Sequence, residues 1–348
     1  MNLEKSYCLF VSAIVTILLV AGPALTADDG FQSVTGPCHL SFPADHGAHP
    51  QYRTEWWYYT GNVVGEDNRR YGFQLTFFRS GLESPDKRDR WPEPASDWRT
   101  DQVYLAHAAI SDIDGGRHLQ ADQMARPALS MAGAQKNGNA VNLWLHSWKA
   151  RIAPDTHRLR AETADFAMAL DLTPAKPPVL HGDGGYSRKG QSPEQASCYY
   201  SYTRMKATGS LTVDGIRRTV QGAAWMDHEF STAPLQPGIT GWDWFSLQLS
   251  DQTEIMFFLL RQTDGASHPA SSGTWVWASG KGQHLTSEDV HLHALGHWTS
   301  PHTGARYPVK WRLRIPSLDV ELNLTANLKD QEMRTPRSTQ VVYWEGSV

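Results

Sequence analysis

Beyond about residue 50 the chain is written in short runs that alternate apolar with polar side chains, each closed by Gly, Asp, Asn or Pro. An alternation of period two sends successive side chains to opposite faces of a strand. The i, i+3, i+4 spacing that would mark an amphipathic helix is scarce. Residues 56–64 lead into Gly65-Glu66-Asp67-Asn68, and residues 71–79 alternate Phe73, Leu75 and Phe77 with Gln74 and Thr76. Residues 103–110 meet an Asp112-Ile113-Asp114-Gly115-Gly116 turn, and 141–148 would place Trp144, His146 and Trp148 on one face. Phe166, Met168, Leu170 and Leu172 share a face, as do Leu211 and Val213 before Asp214-Gly215, a strong two-residue hairpin signal. Further strands are expected at 242–249, 254–261, 274–278, 309–315 and 318–324. Many short strands without crossover helices predict an all-β fold, a barrel or sandwich in each half.

The 348 residues are enough for about two domains. The best boundary is the segment 231–241, which holds two prolines and two glycines. It divides an N-terminal unit, 31–230, from a C-terminal unit, 231–348. Residues 82–99 and 174–195 read as long loops, where binding surfaces commonly sit. Lys plus Arg number 32 against 36 Asp plus Glu, so there is no basic footprint for a nucleic acid. Residues 1–27 carry Lys5, an apolar run too short for a comfortable membrane span, and small residues with Pro23. They read as a cleavable export signal cut near Ala27, leaving no stable membrane span; the rival reading is an uncleaved anchor. Cys38 and Cys198 then remain, either as one long-range disulfide or as two buried thiols. Fourteen Trp, twelve Tyr and eleven Phe exceed what two small cores need, which points to an apolar ligand cavity lined by some of the rings.

Three stretches could carry chemistry. In the run from Glu55, alternation puts Glu55, Trp57 and Tyr59 on one face and Trp56, Tyr58 and Thr60 on the other, so the carboxylate is either desolvated or tightly paired. In Ala224-Trp225-Met226-Asp227-His228-Glu229-Phe230, Trp225, Asp227 and Glu229 share a face and His228 points away; one of the two carboxyl groups should bind its proton more tightly. In Cys198-Tyr199-Tyr200-Ser201-Tyr202-Thr203-Arg204, a straight strand would present Tyr200, Tyr202 and Arg204 together. The competing reading of each is structural: a satisfied ion pair, a strand-end carboxylate pair and a tyrosine-rich barrel edge. His46-x-x-His49 and His291-x-His293 have ligand-like spacing, but neither pair has a clear third ligand, so no metal and no cofactor are implied. A serine-hydrolase elbow is missing, since Gly185-Tyr186-Ser187 lacks the second glycine at the required spacing.

Seven blocks in order carry a family resemblance: Phe42-Pro-x-Asp-His-x-x-His-Pro50, Glu55-Trp-Trp-Tyr-Tyr-Thr-Gly61, Tyr71-Gly-Phe-Gln-Leu-Thr-Phe-Phe-Arg79, Gly185-Tyr-Ser-x-Lys-Gly190, Tyr199-Tyr-Ser-x-Thr-Arg204, Ala224-Trp-Met-Asp-His-Glu-Phe230 and Tyr343-Trp-Glu-Gly346. From about Phe42 onward the chain resembles the lipocalin-like family of AttH and hydroxyneurosporene synthase, the carotenoid 1,2-hydratase. The resemblance implies two calycin-type barrels in tandem with a ligand site near their junction. It also implies a further Gly-rich strand beyond Val348, so that the last barrel would stop unclosed. Family activities include hydration of an isolated carotenoid double bond, while the AttH branch is linked to an ABC export system. Protonating such an alkene needs a buried carboxylic acid and rings that stabilise a carbocation. In that scheme Asp227 is the acid, Glu229 its carboxylate neighbour, and Tyr200, Tyr202 and His107 orient water. Glu55, Trp57, Tyr59, Trp225, Arg204 and His228 would line the ligand. The alternative is a non-catalytic periplasmic carrier of an apolar ligand.

Overall fold

The computed structural model describes residues 30–233 and 236–348; the proposed export signal at 1–27 lies outside the described residues. Among the described residues, twenty-two strands leave room only for a four-residue helix and three 3-10 turns. In chain order the strands are β1 (Thr54–Gly65), β2 (Arg70–Gly81), β3 (Gln102–Asp112), β4 (Arg117–Ala125), β5 (Ala132–Asn137), β6 (Ala140–Leu145), β7 (Trp148–Ile152), β8 (His157–Glu162), β9 (Phe166–Pro174), β10 (Val179–Leu180), β11 (Tyr186–Arg188), β12 (Ala196–Val213) and β13 (Ile216–Ser231). They form one antiparallel sheet in the order β4-β3-β2-β1-β13-β12-β9-β8-β7-β6-β5, with β10 and β11 on the free part of β12. The sheet curls until β6 approaches β3 and β4, so it is nearly closed as a barrel. Its interior is packed by the alternate residues that the sequence rhythm assigns to one face, among them Trp57, Phe73, Leu75, Leu143, Leu170 and Leu211.

The remaining strands are β14 (Ile239–Gln248), β15 (Glu254–Gln262), β16 (Ser272–Val276), β17 (Gly282–Thr286), β18 (His291–Thr299), β19 (Arg306–Ile315), β20 (Val320–Thr325), β21 (Glu332–Arg334) and β22 (Val342–Trp344). They make a four-stranded, a three-stranded and a two-stranded sheet around a second core. Alternation in β14 and β15 serves two masters. Phe245, Leu247, Ile255 and Phe257 enter that second core, while Trp244, Met256, Phe258 and Leu260 pack on the outer face of the barrel against Tyr58, Tyr199 and Trp225. Among the described residues no helix is long and apolar enough to cross a membrane. Cys38 and Cys198 form a disulfide that pins the N-terminal segment to the start of β12.

Two local features set the register on which the site depends. Asp214 and Gly215 both adopt positive φ, +54° and +72°, the two-residue turn that matches strand twist. That turn pairs Val213 with Ile216 and everything behind it up to Met205 with Ala224. Then β12 bulges: the pairing resumes at Tyr202 opposite Met226, so Thr203 and Arg204 together face the single residue Trp225. One expected strand is broken as well. His146 sits at φ +51° in a turn, so residues 141–148 split between β6 and β7, and Trp144, His146 and Trp148 do not share a face.

Candidate functional site

Three adjacent strands, β1, β13 and β12, carry most of the candidate residues. Their register puts Tyr58 beside Asp227 and Asp227 beside Ser201, while the next residues along, Trp57, His228 and Tyr200, form the parallel row on the opposite face. Every second side chain therefore enters the barrel, and the others face β14 and β15.

Inside the barrel Glu55 is the hub. Its Oε2 accepts from Arg79 Nε at 2.8 Å and from the backbone N–H of His49 at 2.9 Å; its Oε1 lies 2.7 Å from His49 Nδ1 and 2.9 Å from His228 Nε2. Arg79 also donates to the carbonyls of His49 and Tyr52 at 2.9 and 2.8 Å. Burial alone would raise the Glu55 carboxyl, but the His228, His49 and Arg79 partners hold it well below the usual carboxylate range. Burial likewise opposes a charged His49, yet Asp45 and Glu55 outweigh it and bring that imidazole up to about 9. From His228 Nδ1 the network continues to Tyr200 Oη at 3.0 Å, then to His46 Nδ1 at 2.6 Å, with Tyr202 Oη 3.4 Å from His46 Nε2. Tyr59 Oη lies 3.0 Å from His157 Nδ1. His49, Glu55 and His228 present three ligand atoms within 4.8 Å of one another. Both imidazoles, however, point at the same carboxylate oxygen over hydrogen-bond distances, and Arg79 already neutralises that carboxylate, so this set suits a pinned ion pair better than a cation cage. His291 and His293 both lie exposed on β18.

On the outer face Asp227 is 4% exposed. Its Oδ1 accepts from Trp225 Nε1 at 2.7 Å and from the Ser201 hydroxyl. Because Ser201 spends its proton on Asp227, His181 must donate from Nε2 to Ser201 Oγ, 2.7 Å away, and accept at Nδ1 from Thr274 Oγ1 at 2.8 Å. Burial pushes the Asp227 carboxyl up to about 7, against the pull of the Ser201, Trp225 and Tyr199 donors; the charge of Glu229 adds the least. Glu229 is held by Ser197 Oγ at 2.5 Å and lies 3.3 Å from Lys189 Nζ. Lys189 in turn stands 3.7 Å over the Phe258 ring, and burial lowers its ammonium. Trp244 donates from Nε1 to Tyr199 Oη at 3.0 Å and stands edge-on to Tyr58. The result is a dry carboxyl group walled by aromatic rings at the seam between the barrel and β14–β15.

The structure does not bring all the expected residues together. Trp225, Asp227 and Glu229 share the outer face, but Glu55, Trp57, Tyr59, Tyr200, Tyr202 and His228 lie inside the barrel, so Tyr200 and Tyr202 cannot orient water for Asp227. Tyr200 and Tyr202 leave the outer row because the bulge at Thr203 and Arg204 reverses the phase of β12. The same bulge takes Arg204 away from the tyrosines: its Nε donates to Glu254 Oε1 at 2.5 Å, beside Thr203 Oγ1 at 3.2 Å from Oε2 and Lys176 Nζ at 2.7 Å from Oε2. His107 does face outward, in the row Asp227, Tyr58, Thr76, His107, but three strands from Asp227. There its Nδ1 meets Tyr343 Oη at 2.7 Å and its Nε2 meets Ser338 Oγ at 2.9 Å, and burial lowers it to about 3. Sequence reasoning passed over His181 and Lys189, which come from the loop 174–195. It gave no role to Tyr58 or to Glu345, although both stand within the blocks that carry the family resemblance.

The sequence profile of the AttH-like family matches residues 33–348. No functionally curated protein matches the chain. Among solved structures, a protein of Nitrosomonas europaea assigned as AttH is 34% identical, with a TM-score of 0.80, over 91% of this chain and 93% of that one. Kievitone hydratase from Nectria haematococca shares the fold at 13% identity and a TM-score of 0.62, over 91% of this chain and 94% of that one. The chain belongs to the AttH-like family.

Proposed function

We propose that the seam between the barrel and β14–β15 receives an apolar, alkene-bearing molecule and that Asp227 supplies the proton for addition of water across its double bond. The observation that carries this reading is a carboxyl group buried among rings and raised to about 7, so that it keeps its proton near neutrality. An unactivated alkene needs such an acid, and the carbocation it forms is stabilised by ring faces of the kind that Trp225, Tyr58 and Trp244 supply. The Ser201 and Trp225 donors on Asp227 then stabilise the carboxylate left behind. A hydratase on the same fold, kievitone hydratase, is in keeping with this chemistry. Export belongs to the same reading. It rests on the leader-like residues 1–27 and on the Cys38–Cys198 bond, which suits an oxidising compartment.

The test incubates the purified protein with squalene, whose chain ends in isopropylidene groups, and follows by mass spectrometry the gain of one water. The wild type forms the alcohol, with turnover falling as pH rises through about 7. Asp227→Asn loses roughly 100-fold or more of that turnover while squalene affinity changes only a few-fold. Equal turnover by the variant would remove the acid role. Apolar molecules that co-purify and are returned unchanged would instead make the protein a carrier.

A further inference from the structure

The two oxygens of the Asp227 carboxyl are not equivalent. Two donors converge on Oδ1, Trp225 Nε1 at 2.7 Å and the Ser201 hydroxyl. Behind Ser201 stands His181, fully buried, whose Nε2 lies 2.7 Å from Ser201 Oγ and whose Nδ1 lies 2.8 Å from Thr274 Oγ1. Burial lowers this imidazole to about 3, so near neutrality it is uncharged and carries one ring proton. With a hydroxyl at each nitrogen, that single proton gives the chain from Thr274 through His181 and Ser201 one sense: every member donates toward Asp227. The reverse sense needs an acid proton on Oδ1, and the Trp225 N–H would then face a hydroxyl oxygen, the poorer acceptor of a carboxylic acid. The chain is built into the fold. Strand β10 pairs Val179 with Ser201 and Leu180 with Tyr200; the backbone N–H of His181 then donates to the Tyr199 carbonyl at 3.0 Å, and the two rings pack with centroids 4.3 Å apart. Gly182 follows at φ +68°, where a Cβ would stand 2.1 Å from the Tyr186 carbonyl oxygen. Thr274, 3% exposed, sits on β16 in register with Met256 of β15. The second sheet thus reaches the acid through His181 and Ser201.

We propose that His181 is a positioning residue of this site: held by Thr274 in the Nε2–H form, it fixes the Ser201 hydroxyl on Asp227 Oδ1 and thereby keeps the proton of the acid on Oδ2. The inference rests on the hydration reading for its catalytic consequence. An acid whose proton can sit on either oxygen presents it to the alkene for part of the time; the locked form presents it from one oxygen throughout. Asp227 gives the Oδ2 proton to one alkene carbon, water forms the C–O bond at the other, and the proton that this water sheds returns to Oδ2. One C=C and one water become one alcohol, while Ser201, His181 and Thr274 keep their protons. Between the two transfers the Trp225 and Ser201 donors already point at the carboxylate that bears the charge. The other titratable groups facing the chain are Lys189 and His284 near His181, and Tyr199, Glu229 and Tyr58 near Asp227. Both nitrogens of His181 are taken by Thr274 and Ser201, so Lys189 and His284 act on the ring only through space.

Two spectra of the whole protein read the lock with no substrate present. Nitrogen-edited NMR shows a neutral imidazole protonated at Nε2 from pH 5 to pH 9, and its signal disappears in His181→Gln. Infrared spectroscopy near pH 6, below the value of about 7 to which Asp227 is raised, shows the acid C=O band that Asp227→Asn lacks. Because Oδ1 is the carbonyl oxygen, the band moves to higher frequency in the near-isosteric Ser201→Ala and in His181→Leu. His181→Gln, whose side-chain amide N–H stands in for Nε2–H, returns it toward the wild-type position. In the squalene assay His181→Leu and Thr274→Val each lower kcat roughly 10-fold with KM within a few-fold of wild type, and His181→Gln recovers most of that loss. Thr274→Val and Ser201→Ala, which change little volume, guard against a folding failure of His181→Leu. A His181 ring protonated at Nδ1, an Asp227 band that ignores both Ser201→Ala and His181→Leu, or full turnover in both His181→Leu and Thr274→Val overturns the proposal. If the spectra come out as expected and the wild type leaves squalene unchanged, the lock stands and the hydration reading falls.

Discussion

Removing the charge of Glu55 tests whether the inner network is a structural anchor. Glu55→Gln keeps the side-chain volume but leaves the guanidinium of Arg79, 1% exposed, and the imidazole of His49, raised to about 9, without their anion. It also turns a donor of the new amide toward existing donors. Breaking a buried pair on one side costs about 3–5 kcal/mol, which for a chain of this size is a fall in melting temperature on the order of 10 °C. The pH dependence carries the sign. Glu55 is depressed from its ordinary 4.5, so its contribution is present above that value and is lost as pH falls below it. His49 is raised from 6.5 to about 9, so its contribution is complete below 6.5 and is lost as pH rises through about 9. The two groups report one shared interaction and bracket a plateau between those limits. Denaturant unfolding from pH 5 to pH 9.5 should show the wild type losing stability at the alkaline end and Glu55→Gln lower throughout with a flatter alkaline limb. A loss under about 1 kcal/mol with an unchanged alkaline slope would refute the argument.

The disulfide closes a sequence separation of 160 residues, for which the chain-entropy estimate is about 5 kcal/mol and the usual yield about 2–4 kcal/mol. Cys198→Ser should therefore unfold at clearly lower denaturant, and dithiothreitol should bring the wild type down to the same midpoint; no shift in either would mean the bond contributes nothing. A Cβ at Gly222 would stand 2.1 Å from the Asn62 carbonyl oxygen and 2.7 Å from Val63 Cα, both backbone of the neighbouring strand. Gly222→Ala should destabilise the protein by about 2 kcal/mol or more and raise amide exchange in β1, and a variant within about 0.5 kcal/mol of wild type would show that the strands part freely.

Period-two alternation predicted the strands, the common face of Glu55, Trp57 and Tyr59, and the common face of Trp225, Asp227 and Glu229, because a pleated strand leaves a side chain only two directions; it did not predict that these two faces lie on opposite sides of the barrel wall. It failed where one residue breaks the count. Thr203 and Arg204 look like any other pair in a strand, and nothing local announces that both oppose Trp225. The extended reading therefore set Arg204 beside Tyr202, when it belongs with Glu254. Pairings distant in sequence were equally out of reach. His181 and Thr274 stand 93 residues apart, and only the folded arrangement that sets β16 beside the loop after β10 brings their side chains within hydrogen-bond distance. Arg79 was visible inside a motif, but its role needed the 24-residue step back to Glu55 that the β1–β2 hairpin makes.

Asp227 and His228 are consecutive residues pointing to opposite sides of one strand. A group fastened from behind cannot drift, so the hydrogen bonds from His228 to Glu55 and Tyr200 set the position and tilt of the Asp227 carboxyl in front of it. In the hydration reading, the packed interior of the barrel then acts on reaction rate as a mechanical mount does, by stiffness. In the same reading, variation in the covering strands β14 and β15 retunes which molecule is accepted while the mount behind Asp227 stays unchanged.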